Sequence, residues 1–375
     1  MASRSGPPRQ RQKRTARPPT PPTRAKAKAI ERNTFAGLAG AVRKDVDGRL
    51  GSLLSGRVAA VKPLGREVTD LVTAIRDLCL RGGKRTRAAL LVAGYRAASR
   101  SAPLEPALDA GVALELLHVY FLIHDDWMDE DTIRRGGPAV HAWLASRLRS
   151  RRLGERAGVL AGDLAVAYAQ HALARVDVPR TRLPAALAAF AEMQEAAVLG
   201  QQLDVVGKGT NIEKVYELKT ASYTVRGPLR LGALLAGGSP KLLETLDRFA
   251  TPAGIAFQLR DDLLSAFGDP AQTGKPLGSD LKSGKKTPLL QLGLRRARGK
   301  DHRLLEAVVG NAKARPSDLQ KAIDVLERSG AREAVEKRIE QLLGSALAQL
   351  GSASLSADAR ELLGSAARAM AARVT

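Results

Sequence analysis

Cysteine is nearly absent: of 375 residues only Cys79 is one, so neither an intramolecular disulfide nor a cysteine-built zinc site can form, and a reducing compartment such as the cytoplasm fits. Aromatic residues are scarce as well, at 3%. Ala, Leu and Arg abound instead, a balance that favours helices over sheets. Runs of about eighteen uninterrupted apolar residues are missing, so no membrane span is expected. Also missing is sustained apolar–polar alternation, the mark of a half-buried strand. These absences point to an all-α protein, and a hydrophobic share of 44% supplies a substantial core. Cys79 falls on the apolar stripe Leu64, Val68, Leu71, Val72, Ile75 and Leu78, where its expected role is core filler.

Acid is absent from residues 1–29, "MASRSGPPRQRQKRTARPPTPPTRAKAKA", which carry nine Lys or Arg, many prolines and no apolar run. Such a segment reads as a disordered basic tail able to touch anionic surfaces. It precedes a helical domain over 30–375. The tail has no apolar centre for a secretory signal, and its prolines oppose an amphipathic transit helix. The formal charge of +22 points to anionic partners without choosing among phosphates, nucleic acid and membranes.

What is present is helical spacing interrupted by Gly and Pro at "RGGKR", "SAPLEP", "RRGGPAV", "VDVP" and "AGGSP", which mark helix connections. The run from Pro106 to Ile123 is apolar on nearly every side, as in a helix buried within a bundle. It leads into "HDDWMDED", where Asp125, Asp126 and Asp129 crowd together. These carboxylates sit at a helix C-terminus, already the negative end of the dipole, so cations must neutralise them. Groups of carboxylates without Cys or His at ligand spacing suit magnesium, above all when it bridges to phosphate.

A second acidic cluster follows another apolar run: "FQLRDDLLSAFGD" puts Gln258, Asp261 and Asp262 within one turn, with Asp269 two turns on if the helix continues. The following "TGKPLGSDLKSGKKTP" places Lys275, Lys282, Lys285 and Lys286 among glycines, a loop able to close over a polyanion. Two such clusters are candidates to face one another across a diphosphate. A separate basic set comprises Lys84 and Arg87 in "RGGKRTR", Arg134 and Arg135 in "DTIRRGG", and His118 two turns before Asp125. One diphosphate on magnesium beside another held directly by Lys, Arg and His explains both sets.

Together, "GGKRTR", "LELLHVYFLIHDDWMDEDTIRRG", "GQQLD", "LKTASYT", "FQLRDDLLSAFGD" and "GKPLGSDLKSGKKT" resemble, in this order and spacing, the trans-isoprenyl (polyprenyl) diphosphate synthases. The likeness covers roughly residues 60–295. It implies an all-α bundle around a deep central cavity, usually homodimeric, with two or three magnesium ions per active site. By similarity, Asp125, Asp126, Asp129, Asp261 and Asp262 bind magnesium on the allylic diphosphate. Arg134, Lys219, Thr220, Gln258, Lys275 and Lys285 match allylic-substrate positions, and Lys84, Arg87, His118 and Arg135 match the isopentenyl diphosphate pocket. The implied reaction is departure of diphosphate, attack of the isopentenyl double bond on the allylic cation, and loss of a proton for which the released diphosphate is a suitable base.

Ser265 departs from the family pattern, standing where the second motif usually has its third acid, so the site is less negative and a weaker magnesium requirement is expected there. Tyr120 and Phe121, one turn below Asp125, suit the floor of a prenyl channel. Paired rings resemble short-chain members, notably farnesyl diphosphate synthases, with geranylgeranyl diphosphate synthases the alternative. A terpene cyclase shares the fold class and an acidic helix but needs no second diphosphate pocket. A regulatory subunit of a heteromeric synthase is expected to have lost motif residues that remain here.

Overall fold

The structure is a computed structural model and describes residues 34–207, 211–269, 278–351 and 355–372. The expected basic tail, 1–29, and Lys275 lie outside the described residues. Thr34 opens the first helix, its hydroxyl accepting from the Gly37 amide at 3.3 Å. In this helix, α1 (Phe35–Val61), Val42, Val46, Leu50, Leu54 and Val58 recur every fourth residue and are all buried. Pro63 and Gly65, the latter at φ +103, then break the chain into a short 3-10 turn before α2 (Arg66–Leu80). Leu64 belongs to that turn and is 69% exposed, so the expected apolar stripe begins only with the half-buried Val68. Cys79 is wholly buried at its far end, and burial pushes its thiol up to about 12.

After α3 (Thr86–Ala98), the "SAPLEP" break leads into α4 (Glu105–Met128). This helix extends beyond Ile123 and carries Asp125 and Asp126 within its last turn, with Asp129 as the capping residue. It has the length and composition to cross a membrane, yet two thirds of its most apolar stretch is buried in the bundle. It is therefore a core helix, packed most extensively on α6.

No strand was expected, but the "RRGG" break forms a minimal antiparallel hairpin, β1 (Ile133–Arg134) and β2 (Gly137–Pro138). Its central residues Arg135 and Gly136 both have positive φ, 52° and 71°, as a tight two-residue hairpin requires. Two residues per strand are too few for an alternating pattern, so the sequence offered no strand signal.

The chain continues through α5 (Val140–Leu148), α6 (Arg151–Ala174) and α7 (Leu183–Val206). Next come α8 (Ile212–Tyr216), a widened π-helical segment (Glu217–Arg226), α9 (Gly227–Leu235) and α10 (Pro240–Phe267). Shorter helices α11 (Ser279–Ser283), α12 (Pro288–Arg296), α13 (Gly299–Val308) and α14 (Pro316–Arg328) precede the long α15 (Ala331–Gly351) and α16 (Ala357–Ala372). Ser239 caps α10 by accepting from the Leu242 amide, with Pro240 at the first helical position. The helix stops at Phe267, so Asp269 lies outside it. The glycine that follows Phe267 supplies the break.

Three apolar clusters result, one of them, around Leu90, Leu229, Phe249 and Leu363, joining α3, α9, α10, α15 and α16. Of the remaining two, one joins α1 to α7 and includes much of α4, and one joins α10 to α8 and α12–α15. Each acidic motif is thus fixed on a helix rooted in its own core.

Candidate active site

Asp126 is completely buried and accepts from Arg134, with Nε at 2.6 Å and Nη2 closer still. Burial nevertheless pushes its carboxyl up to about 6, against the opposing effect of Arg134. The hairpin accounts for this pairing, because it folds Arg134 back onto the end of α4. Of the three aspartates expected to hold metal, Asp126 is therefore engaged by an arginine. The half-buried Asp125 and the exposed Asp129 are the accessible pair. Arg134, expected at the allylic substrate, spends its guanidinium on Asp126 and on Asp131 at 3.3 Å.

The opposite wall is built by α10 and the π segment. Thr220 donates to Gln258 Oε1 at 2.9 Å, and Gln258 Nε2 donates to Asp262 at 3.1 Å. Tyr216 donates its phenol to the other Asp262 oxygen in a short contact. Asp262 is 3% exposed, and burial pushes its carboxyl up to about 7 although Lys285 and these donors oppose the shift. Burial pulls Lys285 down, but Asp280, Asp262 and Asp204 outweigh it and hold the ammonium above its usual range.

Between the walls, Lys219 Nζ meets Asp204 Oδ2 at 2.6 Å. Gly200 makes this approach feasible, since a Cβ there would stand 2.4 Å from the Lys219 amide. Asp125 and Asp129 are both raised by burial, with Lys219 the leading opposing charge for each; Lys285 also acts on Asp129, and Asp204 acts on both. A lysine after the second motif thus acts on carboxylates of both motifs, which sets the two acidic walls within electrostatic range of each other. Among the described residues no three His, Cys, Asp or Glu converge into a closed metal cage. Magnesium typically takes one or two carboxylates and completes its shell with phosphate and water, so two open acidic walls suit it. Asp125, Asp129 and Asp261 are the residues that would hold such an ion, whereas Asp262, also expected to bind it, is buried with both oxygens engaged by Tyr216 and Gln258.

A cavity lies two turns before Asp125 along α4, at His118. Lys84, Arg87, His118 and Arg135 line this cavity of about 520 Å³. Gly82 and Gly83, at φ +96 and +153, turn the chain so that Lys84 and Arg87 reach it. Arg87 donates to the hydroxyls of Tyr223 and Thr224 at 2.8 and 2.9 Å. Burial, reinforced by Arg87 and Arg135, holds the His118 imidazole well below its ordinary value, so it is neutral at physiological pH. The hairpin sends its adjacent arginines to different sites: Arg134 to the acidic wall, Arg135 to this cavity.

The sequence profile of polyprenyl synthetases matches residues 68–326. This chain belongs to that family. It is 34% identical to the short chain isoprenyl diphosphate synthase of Methanothermobacter thermautotrophicus, over 70% of this chain and 78% of the relative. Identity with the farnesyl diphosphate synthase of Escherichia coli is 34%, over 66% and 83%. The geranylgeranyl pyrophosphate synthase of Corynebacterium glutamicum, solved with isoprenyl diphosphate and magnesium, superposes with a TM-score of 0.83 at 36% identity, covering 88% of this chain and 98% of that one. The all-α isoprenoid synthase architecture and the membership expected from the motifs are thereby established.

Within this family frame the channel residues separate. Phe121 packs 4.8 Å from both Tyr120 and Tyr223, while Tyr120 turns its other edge to His124. Both are half-buried beneath the aspartates. Ser265 faces Ser279, Oγ to Oγ at 3.2 Å, and its carbonyl accepts from the Gly278 amide at 3.0 Å. Sequence reasoning missed Asp204, Tyr216, Tyr223 and Asp280 as parts of the site. Asp204 ends the "GQQLD" block and Tyr223 lies in "LKTASYT", so both were within quoted motifs. Nothing local distinguishes Tyr216, which acquires its role through α10.

Proposed function

We propose that this chain is a short-chain trans-prenyltransferase that joins isopentenyl diphosphate to dimethylallyl and geranyl diphosphates, with farnesyl diphosphate as the principal product. One observation carries the reading: a single rigid helix, α4, presents His118 to a cation-lined chamber and Asp125 to the acidic walls. Seven residues separate them, about 10 Å along the helix, so two diphosphates are held apart while their carbon chains meet between. Anchoring both reactants in this way replaces a bimolecular encounter with a pre-oriented one.

Magnesium, when bound by Asp125, Asp129 and Asp261, would supply positive charge to the departing diphosphate; two or three ions suit the number of carboxylates on the two walls. Lys219 and Lys285 add fixed charge on the same side, where leaving-group charge develops. Arg134 keeps Asp126 from repelling that charge. On the other side Lys84, Arg87 and Arg135 hold the extender, and the neutral His118 serves as a hydrogen-bonding group. Phe121 and Tyr120 limit the tail, which favours fifteen carbons over twenty. Exposed Leu153 and Leu160 on α6 and Leu187, Val198 and Leu199 on α7 offer apolar surface for a homodimer. The cytoplasm is the proposed place of action, with residues 1–29 free to contact anionic surfaces.

Incubation of purified protein with labelled isopentenyl diphosphate, dimethylallyl diphosphate and magnesium, followed by mass analysis, tests the proposal. Farnesyl diphosphate is expected, and magnesium chelation is expected to abolish it. Cyclised hydrocarbon, or no joining of the two substrates, would overturn the reading.

A further inference from the structure

The cavity that holds Lys84, Arg87, His118 and Arg135 is closed on one side by α1, which lies outside the residues matched by the family profile. From that helix comes a further cation, Arg43. We infer that Arg43 is a substrate-binding residue of this chamber, contacting the diphosphate of the five-carbon extender. The inference rests on the proposed function, since it takes the chamber to be the isopentenyl diphosphate site.

The arginines around the cavity differ in what they have left to give. Arg85 is enclosed in the wall, donating to Asp47 at 2.7 Å, to Glu115 at 3.1 Å and to the Cys79 carbonyl at 2.7 Å. Arg87 has its two hydroxyl acceptors, and Arg135 reaches the Leu78 carbonyl at 3.4 Å. Among the described residues Arg43 has only a loose ion pair with Asp47, Nε to Oδ2 at 3.7 Å, and its side chain is 55% exposed. Asp47 already serves the much closer Arg85. A guanidinium carries five donors in a planar fork matched to phosphate oxygens, and the fork of Arg43 is the least committed on this rim. Asp47 restrains it beside the cavity without satisfying it. An arriving diphosphate is the better acceptor, with more oxygens and more negative charge than a carboxylate shared with Arg85.

Calorimetric titration with isopentenyl diphosphate, without allylic substrate or added magnesium, tests the inference on the full chain. Arg43→Ala is expected to weaken binding about 10-fold, the scale of one lost charge-assisted contact, and Arg43→Lys to recover part of it. Lys44→Ala removes the same charge from the neighbouring position of α1, and is expected to stay within about twofold if contact rather than the general field is responsible. The Michaelis constant for geranyl diphosphate should not move in Arg43→Ala, which separates a local contact from a structural defect. Unchanged affinity in Arg43→Ala, or equal losses in Arg43→Ala and Lys44→Ala, overturns the role of Arg43. Failure of the unsubstituted protein to bind isopentenyl diphosphate overturns the underlying functional reading instead.

Discussion

Arg85 and Glu115 meet as an ion pair, Nη1 to Oε2 at 3.1 Å, with side chains only 1% and 2% exposed. The pair joins the left-handed residue that starts α3, at φ +50, to the middle of α4. It thereby fixes Lys84 and Arg87 relative to His118, one turn along from Glu115. Removing one member of a buried pair costs about 3–5 kcal/mol when the other charge is left uncompensated; Asp47, 2.7 Å from Arg85, still compensates part of it, which places the cost at the lower end. Glu115→Ala is expected to lower stability by that amount in urea denaturation, while Asp109→Ala, at a half-exposed pair with Arg49, costs about 1 kcal/mol or less. Equal effects of the two substitutions would contradict the anchoring role.

The hydroxyl of Ser265 lies against Ser279 at the entry to α11, one residue from Asp280. A carboxylate in its place adds negative charge one turn beyond Asp261 and Asp262 and restores the acid common in the family. Ser265→Asp should lower the magnesium concentration for half-maximal activity several-fold. A magnesium titration indistinguishable from that of the unsubstituted protein would show that Ser265 lies outside the influence of the metal site.

Much of this architecture was legible because its signals are local. Gly and Pro breaks marked helix ends, and both acidic clusters followed buried apolar runs. Spacing could not say how the clustered acids divide their tasks. Asp125 and Asp126 are adjacent and chemically identical in sequence, yet the hairpin that returns Arg134 to α4 separates an accessible carboxylate from a wholly buried one. Tyr216 was invisible for a related reason: its partner Asp262 is 46 residues away. Leu64 was misplaced because helical periodicity was carried across Gly65, where the backbone turns into α2.

Phe121 touches Tyr223, whose hydroxyl is bound by Arg87 of the cation-lined cavity. Under the proposed function this places it at the floor of the prenyl channel, with Tyr120 tilted against it. Truncating either ring removes a large apolar volume that the surrounding helices can only partly refill. Phe121→Ala and Tyr120→Ala are each expected to lengthen the product by at least one five-carbon unit, read by mass analysis under conditions that exhaust the allylic primer. A product profile identical to that of the unsubstituted enzyme in both variants would remove these residues from control of chain length.

Burial of Asp262 makes metal-free stability depend on pH in a definite direction. Its folded carboxyl titrates at about 7 against an ordinary value of 3.8, so between those limits the folded state binds more protons than the unfolded one. Stability from this group must then fall as pH rises through that window and stay reduced above it. Asp126, pushed up to about 6, acts in the same direction over a narrower range. With metal chelated, the unfolding midpoint of the protein should be about two degrees lower at pH 8 than at pH 6. Asp262→Asn keeps the shape and removes the titration, so its midpoint should change distinctly less between the same two pH values. Magnesium together with diphosphate should recover stability preferentially at pH 8 in the unsubstituted protein, because the charged carboxylate then has its counter-charge. An identical pH slope in Asp262→Asn would place the buried proton elsewhere.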